Sequence, residues 1–251
     1  MGGGGIGKSG AELFAREGAR VIIADIDEKA GMETAAAIGG IFVKCDVSKS
    51  EDVQKVIAAA DGKLDILYNN AGVYLAGRDA RITDIDKAIW EKVIAINLRS
   101  LFLFCKYALP LLMKYGGSII NTGSSAGMIG IPDCDAYTAT KGAIVQLTKS
   151  MAAEYGRFNV RVNCISPAAI MTPMMRQSNP ENSTFDEERF LKLRTPLRRF
   201  GSSKECADLI AFLASDNADY ITGKSISLFQ TLFISVQINP DASLMSQADC
   251  L

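Results

Sequence analysis

Tyr137 and Lys141 are the residues of this chain whose types and spacing point most directly to chemistry. Side chains four positions apart lie on the same face of a helix, so the pair sets a phenol beside an ammonium. A free phenol has a pKa of about 10, and a neighbouring cation lowers it. The pair therefore predicts proton transfer at a carbinol or carbonyl oxygen. The alternative is that both residues lie on a helix surface and have no chemical role.

Ser124 lies thirteen positions before the tyrosine and is the candidate for holding a substrate oxygen. It follows the run 119–122, which is typical of a buried strand that ends in small polar residues. A hydroxyl at the end of such a strand is placed to hydrogen-bond the reacting oxygen. Ser125 is the alternative at this place.

A glycine-rich turn near the start of the chain predicts a dinucleotide site. Gly5-Ile6-Gly7 opens an amphipathic segment, which is followed by an apolar strand that ends in Asp25. Glycines let the backbone approach a pyrophosphate at a helix N-terminus, and the later acid accepts hydrogen bonds from the adenosine ribose. A carboxylate there repels the extra phosphate of NADP, so the sequence favours NAD. The alternative is a flexible glycine leader, with Asp25 only capping a helix that starts near Glu28.

Taken together, these features resemble the short-chain dehydrogenase/reductase family, in its single-domain branch. The resemblance runs from residue 2 to about residue 223. It is carried by Gly5-Ile6-Gly7, Asp25, Cys45-Asp46-Val47, Asn69-Asn70-Ala71-Gly72, Ile96-Asn97-Leu98, Ser124, Tyr137 with Lys141, and the run 161–167. The distance from Ser124 to Tyr137 is the spacing that the family shows, which favours Ser124 over Ser125.

The resemblance implies a role for each of four catalytic candidates. Tyr137 would be the general acid/base at the substrate oxygen. Lys141 would lower the pKa of that phenol and hydrogen-bond the nicotinamide ribose, while Ser124 would orient and polarise the substrate oxygen. Asn97 would hold a water that links the lysine to solvent. The alternative for Asn97 is that its amide only bonds backbone inside a helix.

The same resemblance implies a set of cofactor contacts. Asp46 would meet the adenine edge, and Asn70 with Ala71 would pack along the cofactor, unless this stretch forms only a turn. Ile170 and Thr172 would border the nicotinamide amide. The full set of predicted cofactor-binding residues is Gly5, Ile6, Gly7, Asp25, Asp46, Val47, Asn70, Ala71, Gly72, Tyr137, Lys141, Pro167, Ile170 and Thr172.

Apolar runs and amphipathic segments alternate along the chain. Strands are predicted near 20–25, 41–45, 64–69, 117–122, 159–165 and 224–229, and helices near 8–18, 27–38, 50–61, 85–114, 135–156 and 203–214. This alternation predicts an α/β fold, a Rossmann-like doubly wound parallel sheet flanked by helices on both faces, in one domain over residues 1–251. The irregular stretch 167–200 is the candidate substrate lid.

Composition favours one α/β enzyme domain and argues against several function classes. Apolar residues make up 48% of the chain and the formal net charge is −1, with no basic cluster, so nucleic acid is not an expected partner. Six scattered cysteines without any histidine predict no metal site and no histidine-based catalysis. We interpret the cysteines as reduced thiols. Cys134 is interpreted as a small buried residue rather than one that faces the substrate pocket. No apolar stretch reaches the roughly 18 residues of a membrane helix, so we expect a cytoplasmic protein without membrane contact.

Both ends of the sequence depart from the resembled family. The family begins with an apolar strand that runs into a Thr-Gly turn, whereas here Met1 stands where the first of those glycines belongs. That strand would be central in the sheet, beside the one ending at Asp25, and its loss is expected to cost on the order of 10 kcal/mol. Residues 230–251 have no family counterpart, and Ala168 stands where a glycine is usual. We expect an incomplete or misjoined gene model, or a diverged copy.

The leading hypothesis is an NAD-dependent oxidoreductase that interconverts a small or medium hydrophobic alcohol and a ketone or aldehyde. A second hypothesis is a catalytically weak or inactive relative that binds nucleotide or partner subunits. A third, an epimerase or dehydratase of the extended branch, lacks room for the longer C-terminal domain of that branch. Apolar residues on the helices near 85–114 and 135–156, together with the family, predict a homodimer or homotetramer, unless these residues only face the sheet.

Overall fold

Six strands alternate with helices in the computed structural model, which describes residues 5–178 and 186–228, the side chains of 193 and 194 excepted. The strands are β1 Ile22–Asp25, β2 Ile41–Lys44, β3 Ile66–Asn69, β4 Gly117–Thr122, β5 Val160–Pro167 and β6 Ser225–Leu228. The helices are α1 Gly5–Arg16, α2 Glu28–Ile38, α3 Ser50–Ala58, α4 Lys87–Val93, α5 Ser100–Tyr115, α6 Asp135–Tyr155, α7 Pro173–Ser178, α8 Glu187–Arg194 and α9 Ser203–Ala214. The predicted α/β alternation is therefore confirmed.

Helix α2 is capped at its N-terminus by Asp27 and not by Asp25. The side chain of Asp27 caps α2 by accepting a hydrogen bond from the backbone NH of Ala30, and Gly39, in the left-handed region, ends the helix. Asp25 instead accepts a hydrogen bond from the backbone NH of Asp27 at 3.0 Å. The interpretation of Asp25 as the cap of this helix is therefore wrong.

Within residues 5–178 and 186–228, all strand pairs are parallel, as predicted, but the strands form two groups rather than one continuous sheet. β1 pairs with β2, and a four-stranded sheet has the order β3-β4-β5-β6. A cavity of about 220 Å³ lies between the two groups, and residues of β1 and of β3 both line it. The cavity lies beside β1, the strand that ends at Asp25. The resemblance to the family predicts a central strand at this place.

Helices cover the sheet on both faces because its side chains alternate between two apolar layers. In β4, Ile119 belongs to one buried cluster and Ile120 to another. The first cluster includes residues of α3, α5 and α6, whereas the second includes residues of α9. The predicted arrangement of helices on both faces is confirmed, and it leaves the ends of the strands free to carry polar loops.

The helix predicted over 85–114 is interrupted in the structure. α4 and α5 are separated by a π-helical turn, Ile94–Arg99, which carries Asn97. The hydroxyl of Ser100 donates to the backbone oxygen of Ile96, and Pro110 lies inside α5. A π turn shifts the side chains that follow relative to a regular helix, and it is most often found at functional positions.

The combined helix Lys87–Tyr115 is long and apolar enough to cross a membrane when judged by length and composition alone. The sequence-based statement that no stretch reaches this limit is therefore wrong. Half of the relevant window is buried inside the protein, and residues such as Leu101, Phe104 and Leu112 belong to the core. This burial is what a core helix of a globular fold also shows.

The stretch predicted as irregular, 167–200, contains two short helices, α7 and α8, separated by residues outside the described part of the chain. Asp186 caps α8 through a hydrogen bond from the backbone NH of Arg189. The stretch is thus more regular than predicted, because a side-chain cap starts α8. The predicted atypical tail, 230–251, lies outside the described residues.

We expect Gly117→Ala to lower the free energy of unfolding by about 2 kcal/mol or more. Gly117 has a positive φ of 154°, and a Cβ there would lie 2.5 Å from the backbone oxygen of Asp65 and 2.6 Å from Leu112. Urea unfolding followed by circular dichroism measures the change. The control is Gly130→Ala, because a Cβ at Gly130 would meet nothing within 4 Å and its φ is not positive. Equal stability of the two variants would contradict the packing described here.

Candidate active site

The loops that carry the predicted site residues meet at one edge of the sheet. In parallel strands, all carboxyl ends lie at the same edge, where ligands bind in open α/β sheets. Asp25 and Pro167 are the last residues of β1 and β5, and Asn70 directly follows β3. Ser124 follows β4 by two residues. The strand ends therefore gather residues that are far apart in the sequence.

The side chains of Ser124 and Tyr137 lie next to each other. Ser124 has an extended backbone, and its Oγ accepts a hydrogen bond from the backbone NH of Ala126 at 3.1 Å, which fixes the side chain. Burial raises the pKa of Tyr137 above its ordinary value, and the hydrogen bond to Ser124 acts in the opposite direction. The structure thus brings Ser124, rather than Ser125, to the phenol.

Gly127 determines how closely the serine turn approaches α6. A Cβ at this position would lie 2.4 Å from the backbone oxygen of Lys141, closer than real Cβ atoms come. Without a side chain there, the short helical turn Ser125–Gly127 packs directly on the backbone of α6. The distance between Ser124 and Tyr137 depends on this contact.

Lys141 is buried beside the phenol, as the helical spacing predicts. Its Nζ donates a hydrogen bond to the backbone oxygen of Thr122 at 2.8 Å and lies 5.6 Å from the centroid of the Tyr137 ring. Burial lowers the pKa of Lys141 from 10.5 to about 8, and the Cys164 thiol, by its charge when ionised, acts in the opposite direction. The ammonium is therefore poised to change its charge not far above neutral pH.

Asn97 contacts the backbone of the loop after β3. Its Nδ2 donates to the carbonyl of Val73 at 2.9 Å and to the Thr140 hydroxyl at 3.3 Å, and its Oδ1 accepts from the backbone NH of Val73 at 2.7 Å. Gly72 fits between this amide and Nζ of Lys141, because a Cβ there would lie 3.5 Å from each. The side chain of Asn97 thus bonds the backbone of a loop, rather than backbone inside its own helix, and lies close to Lys141. Its role in holding a water stays a prediction.

The residues predicted to contact the pyrophosphate and the nicotinamide of the cofactor are also brought together. Gly5, with a positive φ of 54°, packs against Thr172 and Pro173, so the first turn of α1 meets the loop after β5. Ile170 is held in place by a β-bridge to Gly201. The glycine turn and the loop after β5 are therefore neighbours, although 165 residues separate Gly5 from Ile170.

The adenine end of the predicted cofactor site carries two fixed carboxylates. Asp25 is only 4% exposed. Asp46 follows β2, and its Oδ1 accepts hydrogen bonds from the backbone NH and the hydroxyl of Ser48 at 3.1 and 2.7 Å. The hydrogen bond from the Ser48 side chain holds the pKa of Asp46 below its ordinary value, so this carboxylate is negatively charged at neutral pH.

Residues of the loop after β3 lie along the cavity between the two groups of strands. Tyr68 donates a hydrogen bond to Oδ1 of Asn70 at 2.9 Å and fixes its amide. The cavity wall includes four of the predicted cofactor residues, namely Gly7, Val47, Asn70 and Ala71. The rest of the wall is mostly apolar and includes Phe14, Leu67 and Phe104, so the cavity is a void of the core that these residues border. The glycine turn at Gly5, the buried carboxylate of Asp25 and the loop after β5 lie at the carboxyl edge of the strands, and this arrangement fits a nicotinamide cofactor. Cys134 is buried, as interpreted from the sequence, and its thiol contacts Ile131 and Thr138.

Two residues of the loop between β3 and α4 were not singled out by the sequence. The ring of Tyr74 lies against the ring of Tyr137, with centroids 5.1 Å apart and an interplanar angle of 53°. Asp79 is buried and accepts hydrogen bonds from backbone NH groups of α6. Neither lies in a regular element or a recognisable motif, so no local pattern signals its contact with α6.

The chain is similar to known oxidoreductases in sequence and in structure. The family model described as enoyl-(acyl carrier protein) reductase matches residues 2–228. An uncharacterised oxidoreductase, YxbG, of Bacillus subtilis (strain 168) is 42% identical over 234 residues, which are 89% of this chain and 85% of the relative. The 2-(S)-hydroxypropyl-CoM dehydrogenase 3 of Xanthobacter autotrophicus is 38% identical over 237 residues, which are 90% of this chain and 92% of the relative.

Several solved structures that are similar to this chain are structures of reductases. The crystal structure of levodione reductase has a TM-score of 0.85 and 33% identity, covering 91% of this chain and 93% of that one. A 3-ketoacyl-(acyl-carrier-protein) reductase from Brucella melitensis complexed with NADH has a TM-score of 0.83 and 29% identity. An actinorhodin polyketide ketoreductase with NADPH has a TM-score of 0.83 and 25% identity. Each of these two covers 91% of this chain and 93% of its own.

The matched model spans most of the chain, and several relatives above 30% identity cover about nine tenths of it. Their names describe dehydrogenases and reductases of alcohols and ketones. The neighbouring structures carry either form of the nicotinamide cofactor. The chain belongs to the short-chain dehydrogenase/reductase family and is an oxidoreductase acting on alcohol and ketone groups.

Proposed function

We propose that this chain is an NAD-dependent oxidoreductase that interconverts a small or medium hydrophobic alcohol and its ketone or aldehyde, with Tyr137 as the general acid/base. The observation that carries the proposal is the constellation of Ser124, Tyr137 and Lys141: the serine and the lysine are buried, Ser124 acts on the phenol as a hydrogen-bond partner that lowers its pKa, and Nζ of Lys141 lies 5.6 Å from the ring centroid.

Proton transfer at the substrate oxygen is the step that this constellation supports. In reduction, the Tyr137 phenol donates its proton to the carbonyl oxygen, and in oxidation the phenolate accepts the hydroxyl proton. Ser124 donates a hydrogen bond to the same oxygen and stabilises its developing negative charge. Burial opposes formation of the phenolate, so a cation beside it is required, and Lys141 supplies that cation. Asn97, through the water predicted at this place, connects Lys141 to solvent.

A bound nicotinamide cofactor supplies or accepts the hydride. Gly5, Ile6 and Gly7 would approach its pyrophosphate, and Asp25 would bind the adenosine ribose. The other contacts follow the assignment from the sequence, with Asp46 and Val47 at the adenine, Asn70, Ala71 and Gly72 along the cofactor, and Pro167, Ile170 and Thr172 at the nicotinamide. The carboxylate of Asp25 favours NAD over NADP because it repels the additional phosphate.

One observation favours a second candidate, a catalytically weak or inactive relative that acts by binding nucleotide or partner subunits. The cavity between β1 and β3 adjoins Gly7 and Asn70, so the cofactor cleft rests on two groups of strands that, within the described residues, do not pair with each other in a sheet. A cleft supported in this way binds its ligand weakly if the two groups move apart. Cofactor titration separates the two candidates, because only the first requires tight binding with turnover.

The remaining features of the proposal concern assembly and location. Phe102 on α5 is 51% exposed, and an apolar residue on this helix is suited to pairing subunits into a homodimer or homotetramer. The five cysteines in the described part of the chain are free thiols and buried. Free thiols are typical of a reducing compartment, which supports a cytoplasmic location.

Replacing Tyr137 by phenylalanine is expected to abolish turnover, by at least about 100-fold in kcat, because the acid/base group is removed. NADH binding, measured by calorimetric titration, should stay within about twofold, since the ring remains in place. Tyr220→Phe is the control, because Tyr220 is 99% exposed. Retained turnover in the Tyr137 variant on a panel of alcohols and ketones would remove this residue from the mechanism.

We expect the protein to bind NADH at least about 10-fold more tightly than NADPH, and Asp25→Asn to narrow this ratio by weakening the charge repulsion. Calorimetric titration with both cofactors measures the effect. Asp219→Asn removes the same charge at an exposed position and should leave the ratio unchanged. Equal affinity of the unaltered protein for the two cofactors would contradict selection by Asp25.

Lys141→Met is expected to stabilise the protein at pH 7, by an amount on the order of 3 kcal/mol, while abolishing turnover. In the folded protein the pKa of Lys141 is about 8 rather than 10.5. Between pH 8 and pH 10.5, Lys141 is protonated in the unfolded chain but has lost its proton in the folded protein. The free energy of unfolding of the unaltered protein therefore rises with pH relative to that of the variant. The advantage of the variant should therefore disappear as the pH approaches 10.5.

Urea unfolding at several pH values measures this difference. Lys149→Met is the control, because Lys149 lies on the same helix but is exposed. An advantage of Lys141→Met that does not change between pH 7 and pH 10.5 would show that the ammonium bears no burial cost.

A further inference from the structure

The N-terminus of α6 is capped from outside its own segment. Cys134 occupies the N-cap position, and its side chain makes no capping hydrogen bond. The first NH groups of a helix have no partner within the helix, and they cost free energy when buried without one. Here the backbone NH of Asp135 donates to the carbonyl of Ala80 at 3.2 Å.

Asp79 accepts the next two of these NH groups. Its Oδ1 accepts from the backbone NH of Ala136 at 3.2 Å, and its Oδ2 accepts from the backbone NH of Tyr137 at 2.8 Å. Oδ1 also accepts from the backbone NH of Ala80 at 2.9 Å, which fixes the carboxylate plane. Asp79 is only 4% exposed, and Ala136 is fully buried. The carboxylate thus meets the positive end of the helix dipole and bonds the backbone of the proposed acid/base residue itself.

The loop that carries this aspartate holds the tyrosine at a second point. Tyr74, five residues before Asp79, lies against the Tyr137 ring with centroids 5.1 Å apart. The backbone NH of Asp79 donates to the carbonyl of Leu75 at 2.8 Å and closes a turn that begins directly after Tyr74. Leu75 packs against the apolar cluster that contains Ala136. Tyr137 therefore contacts the same loop through its backbone and through its ring.

We propose that Asp79 is a positioning residue, whose carboxylate sets the location of the Tyr137 phenol relative to Ser124 and Lys141 by holding the first turn of α6 against the loop after β3. This rests on the proposed function, in which that phenol transfers the proton. Displacement of a reacting group by about 1 Å costs on the order of 100-fold in rate. An aspartate that only stabilised the fold would affect stability without a selective effect on proton transfer.

The test compares Asp79→Asn with the unaltered protein and with Ser118→Ala. The Asn variant keeps one acceptor oxygen but places an NH₂ group opposite a backbone NH, so one of the two helix bonds is lost. Ser118 is a matched control, because it is equally buried and its hydroxyl donates to the carbonyl of Leu213 at the opposite end of β4. Both variants should lose stability, as measured by urea unfolding.

We expect Asp79→Asn to lower kcat for alcohol oxidation by about 10- to 100-fold, with KM and NADH affinity within about twofold, and Ser118→Ala to leave kcat within about twofold. In a ¹³C-tyrosine NMR titration, the Tyr137 phenol, assigned by its loss in Tyr137→Phe, should shift in chemical shift and in titration midpoint in the Asp79 variant alone. A kcat no lower than that of Ser118→Ala, together with an unchanged phenol resonance, would overturn the proposal.

Two further outcomes are separated by this design. If the unaltered protein shows no turnover, the proposed function is contradicted, and the phenol resonance alone decides whether Asp79 positions Tyr137. If Asp79→Asn does not fold, Asp79→Glu takes its place, because it keeps the charge and moves the carboxylate by one methylene. The same selective loss of kcat and shift of the phenol resonance are then expected, and their absence would refute the positioning role.

Discussion

The burial of a lysine ammonium beside a phenol is the constraint on which the rest of the site depends. Lys141 is 3% exposed and rests on a backbone carbonyl, that of Thr122, rather than on a carboxylate. Burial lowers the pKa of Lys141 to about 8, and the carbonyl, unlike a carboxylate, brings no negative charge that would raise it again. Two glycines lie next to this residue: Gly72, where a Cβ would contact the ammonium at 3.5 Å, and Gly127, where the serine turn meets the backbone of α6.

The same constraint explains why the site is assembled from rigid elements. Ser124 comes from the end of a central strand, Tyr137 and Lys141 from one long helix, and Asn97 from a π turn between two helices. Each contributes a polar group whose hydrogen bonds hold it in one orientation. Proton transfer between hydroxyl groups depends on the distance between them, so their positions must be fixed before the reaction. Flexible loops alone would not hold a partner at a fixed distance from the phenol.

Much of this fold was predictable from the sequence, and the parts that were not share a physical cause. Strand positions and the pairing of Tyr137 with Lys141 are local, because periodicity of two and of about four residues reports which side chains share a face. The contact between Asp79 and α6 spans 57 residues, and no periodicity records it. The π turn was missed because its residues read as ordinary helix. The division of the strands into two groups, by contrast, agrees with the central strand that the sequence was expected to lack beside β1.

The cavity between β1 and β3 also makes the stability of the protein sensitive to hydrostatic pressure. Unfolding removes internal voids, so the unfolded chain occupies less volume, usually by roughly 20 to 100 mL/mol, and hydrostatic pressure favours it. A void of about 220 Å³ between two groups of strands contributes to that difference at one defined place. Compression would therefore act on the contact between β1–β2 and the four-stranded sheet.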